Sequence, residues 1–86
     1  DMDQTKSRVI TLDAEGRIYL DKAAISIAQL GEDMKALAQG EPELTVMVRA
    51  DEKLAYGKVV EVMRTLSDAQ VTRLGLVTTP DAAPAR

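Results

Sequence analysis

The chain has no cysteine, histidine, phenylalanine or tryptophan, and only two tyrosines, Tyr19 and Tyr56. Each absence removes a class of chemistry. Without cysteine there is no thiol nucleophile and no disulfide, and without cysteine or histidine the usual zinc sites cannot be built. General acid–base catalysis loses its commonest side chain. With so few aromatics there is no platform for stacking bases. Basic charge is scarce too: eleven Lys and Arg stand against fourteen Asp and Glu, a net charge of −3, with no basic cluster, so nucleic acid is not an expected partner. The lack of cysteine does not identify a compartment. No run approaches the ~18 apolar residues of a membrane-spanning helix, and no signal peptide is visible.

What remains is Val, Leu, Ile, Met and Ala in 86 residues, enough for one small core. Residues 1–7 show no apolar periodicity and read as a linker. The start at Asp1 without Met suggests a piece of a longer chain, with the linker leading from a transmembrane helix outside it. Arg8 to Asp13 and Arg17 to Leu20 alternate around Ala14-Glu15-Gly16, a hairpin pattern. Ala23 to Ile25 is a further short extended piece. Ser26 then caps a helix, with Gln29 at capping-box spacing and Ile25 and Leu30 placed as a hydrophobic staple. Ile27, Leu30, Met34, Leu37 and Ala38 recur at helical period until Gly40 and Pro42 end the run. Gly31 inside it has no explanation in the sequence.

Leu44 to Ala50 alternates as a strand with Val46 and Val48 on one face and Thr45, Met47 and Arg49 on the other. A second helix follows, with Asp51 as its natural cap and Tyr56, Val59, Val60, Met63 and Leu66 as its buried stripe. Thr72 to Thr79 returns as the last strand, and residues 81–86 form a Pro- and Ala-rich tail. Strand, helix and strand in this length make a βαβ unit with parallel strands. The expected fold class is α+β: a two-layer sandwich of one mixed β-sheet with two α-helices on one face, in the order β-β-α-β-α-β. The outer face would carry Tyr19, Thr45, Met47, Arg49 and Val77, a mixture of apolar and polar residues that hints at a partner.

Several residues admit two readings. Asp51 either caps the helix or serves as a functional carboxylate. Arg49 belongs to a solvated edge or to an interface. Tyr56 reads as core with its hydroxyl at the rim. Leu74 and Leu76 face the core, yet their strand at a sheet edge is also placed to pair with another chain. Gly75 marks a bulge or a close approach by a partner. The neighbouring carboxylates Glu41 and Glu43, and Asp51 and Glu52, lack the surroundings that would split their pKa values, so no catalytic residue and no metal ligand is assigned.

Val48-Arg49-Ala50-Asp51, Tyr56, the run Val59-Val60-Glu61-Val62-Met63 with Leu66, and Leu74-Gly75-Leu76-Val77-Thr78 occur in an order and spacing that resembles the ExbD/TolR family, from Arg8 to Pro80. The resemblance implies a periplasmic domain, residues 8–80, of a single-pass inner-membrane protein. Such a protein works with an ExbB/TolQ-like membrane motor subunit and a TonB/TolA-like protein. Val48 to Asp51 looks more like ExbD, and GLVTTP leans towards TolR. The ExbD-like reading is a non-enzymatic, proton-driven energy-transducing subunit that supports TonB-dependent transport across the outer membrane. It implies a homodimer and no cofactor. The alternative is a TolR-like subunit of the Tol–Pal envelope system that binds peptidoglycan. The family's proton-carrying Asp belongs to the transmembrane helix and to none of the aspartates here. Partner binding is expected at Arg49, Asp51, Leu74, Leu76 and Thr78. One departure is Ala69-Gln70, where the family commonly has Ala-Gly, so Gln70 must do without positive φ or bear its cost. A βαβ architecture taken alone also suits a regulatory or substrate-binding domain of an enzyme.

Overall fold

Ser26 ends a meander of three short strands and starts the first helix, and its hydroxyl accepts the Gln29 N–H at 3.1 Å. In the computed structural model, which describes residues 7–80 and 82, the elements run β1 (Ser7–Leu12), β2 (Ile18–Leu20), β3 (Ala23–Ile25), α1 (Ile27–Gly40), β4 (Thr45–Asp51), α2 (Tyr56–Asp68) and β5 (Arg73–Thr79). The expected α+β class holds, with Ala23–Ile25 adding a strand to the anticipated order. The capping box at α1 is half made. Gln29 Nε2 donates to Asp33 Oδ1 at 2.8 Å, so its side chain runs forward along the helix.

The strands form one mixed sheet in the order β3-β2-β1-β4-β5. β1 is antiparallel to β2 and parallel to β4, and β4 is parallel to β5. Two Asp side chains shape the meander. Asp13 accepts the Glu15 and Arg17 N–H groups at 3.0 and 2.8 Å across a turn where Gly16 takes φ +87°. Asp21, itself at φ +57°, accepts the Val9 N–H at 3.2 Å and fixes the β2–β3 turn against β1.

Period-2 alternation sends Ile10, Leu12, Val46, Val48 and Ala50 to one face, where they are buried with Leu30 and Met34 of α1 and Val59, Val62 and Leu66 of α2. Each Val, Leu, Ile or Met among them contributes roughly 1.5–3 kcal/mol on burial. The two helices touch where Gly31 meets α2: a Cβ there would lie 3.3 Å from Thr65 Cγ2. The glycine thus serves helix approach, at the expense of about 1 kcal/mol of helix propensity.

The end of α2 is a Schellman motif. Val71 N–H donates to Leu66 O at 3.1 Å and Gln70 N–H to Ser67 O at 3.0 Å. Gln70 occupies the position glycine usually fills and takes φ +73°. An L side chain there costs ~1–2 kcal/mol, partly offset by the freedom glycine would have when unfolded. Gln70→Gly is therefore expected to stabilise the domain by about 1 kcal/mol, raising the thermal midpoint by roughly 4–8 °C. Circular-dichroism melts check this, and a lowered midpoint would contradict it.

The outer face carries Tyr19, Thr45, Met47, Arg49 and Val77, as the alternation requires. Two sequence expectations are corrected. Asp51 is not the cap of α2: that helix begins after Ala55, which offers no side-chain cap, while Asp51 ends β4 four residues earlier. Tyr56 is not core, being 74% exposed. Residues 1–6 of the expected linker, and 81 and 83–86 of the expected tail, lie outside the described residues.

Candidate functional site

β5 is the longer of the two edges of the sheet. It is seven residues long, pairs with β4 on one side, and has no described strand on the other. The opposite edge, β3, has only three residues. Natural edges are commonly blunted by charge, proline or a bulge. From Leu74 to Thr79 there is no charge and no proline, and the register with β4 runs unbroken from Thr45↔Arg73 to Asp51↔Thr79. Gly75 therefore marks no bulge. A Cβ at Gly75 would lie 2.9 Å from Met47 Cε and 3.1 Å from Met47 Sδ, so the glycine makes room for that side chain on the outer face.

The exposed large hydrophobics of the described chain all border this strand. Leu76 and Val77, each 42% exposed, lie in it; Met47, 38% exposed, lies over Gly75; and Tyr56 stands beside Leu76. Tyr56, Val59, Val60, Met63, Arg64 and Ser67 of α2 line, with Leu76, an open groove of about 490 Å³ along the helix side of the edge. A strand laid beside β5 would direct alternate side chains into it.

These groove residues were missed as a site because their helical spacing reads as a single core stripe. The doublets Val59-Val60 and Val62-Met63 carry the signal that separates two stripes. Val59, Val62 and Leu66 bury against the sheet. Tyr56, Val60 and Met63, one helical step round, line the groove, with Met63 also packed against the core and Val59 shared between the two stripes.

The sequence-predicted residues do not form one surface. Leu74, Leu76 and Thr78 pair with Val46, Val48 and Ala50 and so point to the helix side of β5, with Leu74 half-buried and the other two exposed. Arg49 is half-buried on the opposite face, between Thr11 of β1 and Val77 of β5. Asp51 is buried at the end of β4, only 4% exposed. One of its oxygens accepts the Lys53 N–H at 2.8 Å, and the other accepts the Ala82 N–H at 3.0 Å. Together with the Glu52 N–H donating to Thr79 O at 2.9 Å, it clasps the chain beyond β5 back onto the β4–α2 turn.

At the same end of the sheet Tyr19 donates its hydroxyl to Asp13 at 3.4 Å. Arg17, 3.6 Å from Asp13, has its pKa raised by its hydrogen bond with Tyr19 and then by the Asp13 charge. Among the described residues no group of acidic side chains is placed to hold a metal ion, and no helix is long and apolar enough to cross a membrane. The chemistry on offer at β5 is main-chain hydrogen bonding plus apolar contact.

Comparison with known proteins gives a consistent picture. A family model described as biopolymer transport protein ExbD/TolR matches residues 1–81. The biopolymer transport protein ExbD of Pseudomonas aeruginosa is 29% identical over 76 residues, covering 88% of this chain and 57% of that relative. The protein of the same name from Pseudomonas putida is 32% identical over 75 residues, covering 86% and 53%. The Tol-Pal system protein TolR of Pseudomonas aeruginosa is 32% identical over 56 residues, covering 65% and 38%. The chain thus spans a little over half the length of the ExbD relatives it matches.

Proposed function

The chain belongs to the ExbD/TolR family of biopolymer transport proteins, and on that premise we propose that it is the periplasmic, partner-gripping domain of an ExbD-like inner-membrane subunit. In this reading the whole protein is an accessory of proton-driven transport and not an enzyme. It works with an ExbB-like motor subunit and passes the motor's output to a TonB-like protein in support of transport across the outer membrane. The observation that carries the reading is the unguarded β5 edge, with the exposed hydrophobics gathered around it. An edge of this kind is completed by strand addition, in which main-chain bonds supply affinity and alternate side chains supply register.

Two occupants share that edge in turn: a second copy of the domain, and an extended segment of the partner. For the second copy an antiparallel pairing centred on Leu76 sets Leu76 against its twin, Gly75 against Val77, Leu74 against Thr78 and Arg73 against Thr79. No like charges are opposed in that register. Membrane-level changes would then act by shifting which occupant holds the edge.

The test is sedimentation equilibrium combined with an NMR titration using an extended TonB-type periplasmic peptide. Concentration-dependent association and peptide-induced shifts centred on residues 73–79, Tyr56, Val60 and Met63 are expected. A strict monomer at millimolar concentration that ignores the peptide would overturn the proposal. The TolR-like alternative, motivated by the TolR relative, predicts retention of the domain on purified peptidoglycan, and no retention would remove it.

A further inference from the structure

Met47 projects from the centre of β4 onto the outer face, in a row with Val9 of β1 and Gly75 of β5. Its Sδ and Cε lie 3.1 and 2.9 Å from the point where a Cβ on Gly75 would stand. Both atoms are nearly equidistant from that point, so the thioether lies flat across the glycine. That side of the thioether is covered by Gly75, and the residue as a whole is 38% exposed. The other described methionines differ: Met34 is fully buried in the core, and Met63 is half-buried on α2.

A thioether sulfur carries two lone pairs, and oxygen added to one or the other gives opposite sulfoxide epimers, each reduced by its own reductase class. We propose that Met47 is a stereoselective oxidation site for peroxides, with Gly75 as the seat that presents only one lone pair. The exposed lone pair attacks one oxygen of hydrogen peroxide and the O–O bond breaks. The departing hydroxide takes up the proton released from the transferred oxygen, and water leaves. Sulfur is oxidised by two electrons and the peroxide is reduced by two. The product sets a strong acceptor oxygen on a row that was apolar, on a face that also carries Arg49 and Arg73, and reduction of that one epimer restores it.

The methionines fall in separate tryptic fragments, 1–6, 23–35, 36–49 and 59–64, so each is read independently. The folded chain is treated with hydrogen peroxide, digested, and each fragment quantified by mass spectrometry. Aliquots are then exposed to one or the other epimer-specific reductase. The Met47 fragment should oxidise about tenfold faster than the Met34 fragment, and one reductase should reverse about five times more of its sulfoxide than the other. Oxidation in urea, where the seat is lost, should give near-equal epimers, as should Gly75→Ala, whose methyl group displaces the thioether. Equal epimers in the folded protein, an excess that persists in urea, or a Met47 rate no greater than that of Met34 would each overturn the assignment. The urea comparison decides the matter even if Gly75→Ala fails to fold.

Discussion

Asp51→Ala should destabilise the domain by about 3 kcal/mol, because two backbone amides, one of them buried, lose a charged acceptor together. Burial of an unpaired amide costs ~1–3 kcal/mol, and bonds to a carboxylate are the stronger kind. In a domain of this size that lowers the thermal midpoint by roughly 12–24 °C. Asp51→Asn keeps one acceptor oxygen and should lose about half as much. Hydrogen exchange locates the effect. Protection should fall at Ala82 and Lys53, the two amides that the carboxylate holds. A helix-capping role would instead predict a loss of ~1 kcal/mol with exchange rising in the first turn of α2. A midpoint within about 3 °C of the original would show that the clasp contributes little.

Leu76→Lys addresses the edge itself. Leu76 is 42% exposed and lies at the centre of the two-fold pairing proposed for β5, where the substitution sets two ammonium groups against each other. Lysine at an edge is also a common natural guard against strand addition. Association should weaken about hundredfold, equivalent to ~2.7 kcal/mol. The fold itself should change by less than about 0.5 kcal/mol, as for surface substitutions generally. Sedimentation equilibrium reads the first quantity and thermal denaturation the second. An unchanged dissociation constant would place self-association elsewhere on the molecule. Loss of peptide binding in the same variant would show that copy and partner compete for one edge.

Local signals in the chain were sufficient for much of the architecture. The hairpin, the Ser26 cap, the stop at Gly40-Pro42 and the parallel βαβ unit all follow from patterns within a few residues, and the outer-face residues follow from alternation alone. What was illegible depends on contacts distant in sequence. Asp51 looked like a cap because its identity suits one, but its second oxygen is committed to Ala82, 31 residues away. Gly31 and Gly75 answer to Thr65 and Met47, neighbours that only the packed structure supplies. Tyr56 was misplaced for another reason. A helix packed near a sheet edge can carry more apolar surface than the sheet covers, and periodicity does not reveal where the sheet stops. The candidate site was therefore half visible: the β5 residues could be named in advance, whereas the groove beside them could not.

The parallel run of β1, β4 and β5 has a mechanical consequence. Ser7, Thr45 and Arg73 lie in one row at the same end of these strands. Tension applied at Ser7 and opposed by a strand gripping β5 would pull along the strand axes. The six register pairs between β1 and β4 and the seven between β4 and β5 would then resist in shear, sharing the load instead of parting one after another. Under the proposed reading, a load entering at Ser7 and leaving through the β5 edge would therefore run along the direction in which this sheet is strongest.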